Sequence, residues 1–159
     1  MILPNRSAGL LMFRRRDALE LFLVHPGGPF FRNQDDGAWS IPKGEVEPSE
    51  DPLATARREF SEETGIDVPD DGYIGLGEIR QKGGKRVVAW AFEGDCDPDA
   101  IESNTFEIEW PPRSGRRQTF PEVDRAQFFS PDAARVKLNA AQVELVNRLE
   151  AAIADGLDR

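Results

Sequence analysis

The segment from Gly44 to Ile66 constrains this chain more than any other part of it. It reads Gly-Glu-Val-Glu-Pro-Ser-Glu-Asp-Pro-Leu-Ala-Thr-Ala-Arg-Arg-Glu-Phe-Ser-Glu-Glu-Thr-Gly-Ile. The spacing predicts a helix over Leu53 to Thr64, with a stop signal at Gly65. At about 100° per residue, Glu59, Glu62 and Glu63 share one arc of roughly 100°, and Leu53, Ala56 and Phe60 occupy the adjoining arc. The carboxylates therefore border the stripe that faces the core rather than lying opposite it. Like charges at this spacing destabilise an isolated helix by ~0.2–0.5 kcal/mol per pair, and partial burial raises carboxyl pKa values further. Two readings follow. The three glutamates are either a solvated acidic face or oxygen ligands gathered for a hard divalent cation such as Mg²⁺ or Mn²⁺. Arg58, four residues before Glu62, is spaced to orient a carboxylate, and Glu50 can come near from just before the helix.

Composition removes several alternatives. The 159 residues suit one domain, taken as residues 1–159. The longest apolar stretches are only a few residues, against about 20 for a membrane span. The N-terminus, Met1-Ile-Leu-Pro-Asn-Arg-Ser, lacks the layout of a signal peptide. A lone Cys96 excludes an intramolecular disulfide and a cysteine-based zinc site, and a lone His25 excludes a two-histidine site. These features point by default to the cytoplasm. With 29 acidic against 20 basic residues, net charge -9, the chain repels a nucleic-acid backbone unless its bases share one face. A phosphate substrate would meet the same repulsion, and a carboxylate-held cation would offset it.

Elsewhere, Ser7–Phe13 and Leu19–His25 read as a strand hairpin around a charged turn. The Gly/Pro-rich stretch Pro26–Gly37 is too long for a simple turn and is a candidate functional loop. Gly72–Arg80 and Arg86–Glu93 read as two further strands, and Phe106–Trp110 as a weaker one followed by a loop through Thr119. A last helix is expected over Ala140–Ala154, capped by Asn139 with Gln142 at its third position and ended by Gly156. Val143, Val146, Leu149 and Ile153 would form its buried stripe. Hairpin-joined strands with two helices give a mixed α/β or α+β class.

The segment 44–66 matches Gly-x5-Glu-x7-Arg-Glu-U-x-Glu-Glu-x-Gly-U, where U is bulky and apolar. Seven fixed identities at ~7% each recur by chance about once in 10⁸ starting positions. This is the signature of the Nudix hydrolases, which the chain resembles at every fixed position. Phe60 stands where the family more usually has an aliphatic residue. Outside the box the likeness is looser, extending over roughly Ala8 to Ala154.

The resemblance implies an α-β-α sandwich with a mixed sheet, a loop–helix–loop box, and Mg²⁺- or Mn²⁺-dependent cleavage of a diphosphate linked to another group. By position, Glu59, Glu62 and Glu63 would be metal carboxylates and the Gly44 carbonyl a further ligand. Glu50 would join them directly or through water, and Arg58 would hold Glu59. A carboxylate would take the proton of the attacking water. Glu59 is the first choice, and its rival is Glu122, on a stretch (Phe120–Phe128) that resembles a downstream loop supplying an extra glutamate in some members. The alternative for Glu122 is a surface loop acid.

Trp39-Ser-Ile-Pro-Lys-Gly44 resembles the box entry of members acting on dinucleoside polyphosphates and diphosphoinositol phosphates. Lys43 would contact phosphate as a point charge or be an ordinary solvated lysine. Trp39, Phe30 and Phe31 would stack on a base or belong to the core. Lys82, Lys85 and Arg86, and separately Arg113, Arg116 and Arg117, would meet distal phosphates or keep loops soluble. Lys137 is a weaker candidate of that kind, and His25 reads as structural. The expected activity is a pyrophosphohydrolase acting on a dinucleoside polyphosphate or nucleoside triphosphate. Competing expectations are a non-catalytic nucleotide-binding module and an RNA 5′-end pyrophosphohydrolase, the second disfavoured by the net charge. The expected partners are a small nucleotide or polyphosphate and a second copy as a homodimer, with no membrane and no nucleic acid.

Overall fold

A computed structural model describes residues 6–156. Strands β1 (Arg6–Arg15) and β2 (Leu19–Pro26) form the expected hairpin, followed by the short β3 (Lys43–Glu45), which pairs with β1. Helix α1 (Pro52–Thr64) leads to β4 (Ile74–Arg80) and β5 (Arg86–Glu93). A separate hairpin of β6 (Thr105–Glu109) and β7 (Arg117–Pro121) precedes β8 (Val123–Phe129), α2 (Pro131–Lys137) and α3 (Val143–Ala154).

The main sheet runs β4-β5-β1-β2-β8, with β1 and β5 parallel and the remaining pairs antiparallel. Its central strand explains the uninterrupted apolar run in the sequence. Leu10 and Met12 point to the core shared with Ala56 and Phe60 of α1, whereas Leu11 and Phe13 point to the core shared with Leu138, Leu145 and Leu149. A strand covered on both faces reads as continuous rather than alternating hydrophobicity. The result is the sandwich expected from the resemblance, with α1 on one side and α2 and α3 on the other. Among the described residues no helix is long and apolar enough to cross a membrane.

The helix of the box is built by local chemistry. The Asp51 side chain accepts from Ala54 N at 3.1 Å, Pro52 opens the first turn, and Gly65 ends the helix at φ +75°, donating to the Ser61 carbonyl.

Several expectations require correction. The stretch 120–128, expected as a loop, is largely strand: β8 pairs with β2, register Leu21↔Phe129. The expected loop after Trp110 includes β7, and α2 has no counterpart among the expected elements. The last helix begins at Val143, after a single 3-10 turn over Ala140–Gln142, and Asn139 makes no side-chain cap. Gln142 is buried instead: its Oε1 accepts from Ile41 N at 2.9 Å and its Nε2 donates to Ser40 Oγ at 3.0 Å. A buried amide that satisfies a distant backbone group outweighs a local capping bond. The predicted stripe does pack inward, with Val146 and Leu149 buried and Val143 and Ile153 against the same core.

Candidate active site

Gly44 sits in β3 opposite Ala8 of β1, at the edge of α1. A Cβ on Gly44 would lie 2.0 Å from Cδ of Glu59, so the Glu59 carboxylate rests directly on the glycine backbone. Only a residue without a side chain permits that approach. The Arg58 guanidinium donates to Glu59 Oε1 at 3.1 Å, to Glu62 Oε1 at 3.1 Å, and through Nε and Nη2 to both oxygens of Glu50 at 3.2 Å. The expected association of Arg58 with Glu59 is thus present, but Glu62 and Glu50 share the same cation.

Deeper in the site the charges are less balanced. Burial pushes Glu63 up to about 9, and the neighbouring Glu59 and Glu122 carboxylates add to the effect, against Lys43. Glu63 Oε2 is buried with no hydrogen-bond partner among the described residues. Glu59 is raised by burial and then by Glu62, with Arg58 opposing. Glu122 is raised by loss of hydration. Lost hydration depresses Lys43, while Glu63 pulls the other way.

A cavity of about 540 Å³ joins Lys43, Glu63 and Glu122, within the roughly 300–1,000 Å³ typical of small-molecule sites. Lys43, Glu63, Lys82, Glu122 and Phe31 line it. Glu122, at the junction of β7 and β8, is therefore brought to the box glutamates from a distant part of the chain rather than left on a remote loop. Lys85 lies on the β4–β5 turn, close enough to Lys43 to lower its pKa. Arg116 is placed at the tip of the β6–β7 hairpin and is not part of the cavity wall.

Of the two readings open for Trp39, a stacking wall or the core, its burial selects the core. It is 2% exposed, its Nε1 donates to Asp35 at 2.8 Å, and its ring packs edge-on against His25 and Phe129. Phe30, by contrast, is 62% exposed. His25 is buried, with Nδ1 2.7 Å from Asp124 and Nε2 2.7 Å from the Gln34 carbonyl, tying β2 to β8 and to the loop that lines the cavity. Asn139, Ala140 and Ala141 also line the cavity, and nothing in their own sequence indicates it.

Among the described residues no three acidic, histidine or cysteine side chains are close enough to chelate one ion as they stand. The donor set nevertheless fits a hard cation. Glu63 has an orphaned buried oxygen, Glu59 lies directly against Gly44, and both carry raised pKa values that a cation would reverse. Rotation of the exposed Glu62 away from Arg58 would add a third carboxylate.

The chain is also similar to known proteins. The chain is 41% identical over 70 residues to the bis(5'-nucleosyl)-tetraphosphatase [asymmetrical] of Sus scrofa, covering 40% of this chain and 44% of that protein. It is 32% identical over 100 residues to the Rattus norvegicus protein of the same name, covering 55% and 64%. These alignments thus span less than two thirds of the relatives' length. In fold it is similar to a C. elegans Ap4A hydrolase in a binary complex (TM-score 0.63, 22% identity, 95% of this chain and 98% of that one). It is equally similar to the NUDIX domain of Shewanella oneidensis NrtR complexed with ADP ribose (TM-score 0.65, 16% identity, 96% and 90%). The NUDIX domain model matches residues 3–149, and the chain belongs to the NUDIX domain family.

Proposed function

We propose that the protein is a divalent-metal-dependent pyrophosphohydrolase that cleaves a dinucleoside polyphosphate by attack of water on phosphorus. The observation that carries this reading is the convergence of Glu63 and Glu122 on one cavity with Glu59 close beside them, all three with raised pKa values. A purely structural site has little reason to crowd like charges at the cost of mutual repulsion. The tetraphosphatase names of the relatives favour a tetraphosphate with a nucleoside at each end.

Glu59, Glu62 and Glu63 would hold Mg²⁺ or Mn²⁺, with the Gly44 carbonyl as a further ligand and Glu50 directly or through water. The bound metal would neutralise diphosphate oxygens and lower the pKa of the attacking water. Arg58 orients Glu59 on its glycine floor. Lys43 faces the same cavity and would meet a substrate phosphate oxygen as a point charge. Glu59 takes the proton of the attacking water; Glu122, which has no bond to Arg58, is the rival for that step.

The test is product-resolved hydrolysis of diadenosine tetraphosphate, with Mg²⁺ and with chelator, beside nucleoside triphosphate, ADP-ribose and a 5′-triphosphate RNA. Metal-dependent release of ATP and AMP from the tetraphosphate is expected. A folded protein that binds Mg²⁺ and nucleotide but cleaves none of the panel would be a binding module instead.

A further inference from the structure

The described lysines and arginines outside the cavity wall at Lys43 divide into two groups. Arg6, Arg14, Arg57, Arg117, Arg135 and Lys137 are among those that lie within salt-bridge distance of a carboxylate. Among the described residues, Arg32, Arg80, Lys82, Lys85, Arg113 and Arg116 have no such partner. In a chain with 29 acids and 20 bases, carboxylates are in surplus, so cations left without one are held apart by the fold. Arg80 is the last residue of β4, and the other five sit on three segments. These are the loop after β2, which contributes Phe31 to the cavity; the β4–β5 turn, which contributes Lys82; and the tip of the β6–β7 hairpin.

The hairpin is seated on that loop. Phe106 of β6 meets Gly28, where a Cβ would lie 2.8 Å from the ring, and the Pro121 carbonyl meets Gly27, where a Cβ would lie 2.0 Å from the oxygen. Trp110 meets the ring of Phe30 at 5.4 Å, edge to face, and Phe30 remains 62% exposed in spite of it. The tip is ordered by Glu109, whose carboxylate accepts from Arg113 N at 3.3 Å and Gly115 N at 3.1 Å, holding Arg113 at φ +61°. A partly exposed aromatic pair and two guanidinium groups without carboxylate partners thus stand on one arm next to the residue, Phe31, that enters the cavity.

We infer that this arm and loop seat the second nucleotide of a two-headed polyphosphate. This rests on the reading above of a hydrolase of dinucleoside polyphosphates and says where the second of the two nucleosides binds. A cavity of about 540 Å³ suits one nucleotide-sized group, so the other end lies outside it. Phe30 and Trp110 stack on the outer base, since an aromatic face accepts any base. Arg113 and Arg116 take phosphate oxygens of the chain that leaves the cavity.

The experiment compares diadenosine tetraphosphate with adenosine 5′-tetraphosphate, which has the same phosphates and one nucleoside, as a ratio of kcat/KM. Phe30→Ala and Trp110→Ala are each expected to lower that ratio about tenfold, the size of one lost stacking contact. Phe30 is exposed, so its truncation does not test folding, and thermal unfolding of both variants controls for it. Arg113→Ser/Arg116→Ser should flatten the rise of KM with salt. Equal losses on the two tetraphosphates, or an unchanged ratio, would overturn the seat. If the wild type cleaves neither, equilibrium binding of the same pair separates the two ideas. A preference for the two-headed ligand that Phe30→Ala abolishes keeps the seat and ends the hydrolase reading, whereas no preference ends the seat.

Discussion

Strand β1 has a dense group of charges near each end, and the two groups are organised in opposite ways. At its C-terminal end Arg14 donates to Glu20 and to Asp95 at 2.8 Å, Arg16 donates to Asp95 at 3.1 Å, and Arg15 donates to Glu93. The Arg14 guanidinium also lies 3.7 Å over the Phe128 ring. The hydrogen bonds from Arg14 and then Arg16 hold Asp95 down to about 2. At the other end, where Ala8 pairs with Gly44, Glu59 and Glu63 are pushed up by burial and by neighbouring carboxylates. The first group is complete: its charges are paired and near water, an arrangement that contributes little net stability. Even its thiol, Cys96, is raised to about 11 by burial and then by Asp95, which makes it a poor nucleophile. The second group is incomplete, and a divalent cation is the addition that would balance it. The lesson is that charge density alone does not mark a functional site; charge left unbalanced by the fold does.

The contrast can be tested at its strong end first. Glu62→Gln or Glu63→Gln should reduce turnover of diadenosine tetraphosphate by about 10³-fold or more while circular dichroism stays unchanged. A variant near the wild-type rate would remove that residue from the site. Next in size is Gly44→Ala. The new Cβ would overlap Glu59 and displace its carboxylate, and a displacement of about 1 Å costs on the order of 10²-fold in kcat. Activity within about twofold of wild type would mean that Glu59 works from another rotamer.

Proton linkage separates the two groups more finely. In chelator, Glu63 keeps its proton in the folded state up to about pH 9 but loses it near ~4.3 when unfolded. The folded state then binds the extra proton between those values, so stability falls as pH rises through that window. Urea unfolding from about pH 5 to 9 should record that fall, and Glu63→Gln should flatten it. An unaltered slope would assign the proton to Glu59 or Glu122. Asp95 has the opposite sign. Its folded pKa of about 2 lies below the unfolded ~3.9, so its contribution is present above about pH 4 and fades as pH falls through 2. Asp95→Asn should remove that acid-side loss and leave kcat/KM within about twofold, the smallest effect of the series. A large loss of activity would show that the two ends of β1 are coupled.

Much of this architecture is legible in the order of residues alone. The α1 boundaries, the bordering arc of glutamates and the β1–β2 hairpin follow from periodicity, capping residues and turn chemistry, which act within a few residues. The segments that read differently are those whose form depends on distant partners. The stretch 120–128 reads as a loop by its resemblance to a loop of related proteins; pairing with β2 makes most of it strand β8. Trp39 in sequence suits the core better than a ligand stack without excluding the stack, and the packing of His25 and Phe129 around it decides.

Short-range spacing is enough to specify the family's box, the order of its acidic residues and the helix that presents them. Three further features exist only once the chain has folded. Glu122 joins Glu59 and Glu63, Gln142 becomes buried support rather than a cap, and the hairpin of Trp110 leans on the loop of Phe30. The physical reason is the same in each case. Burial and mutual charge are properties of neighbours in space, and those neighbours come from parts of the chain that no local pattern connects.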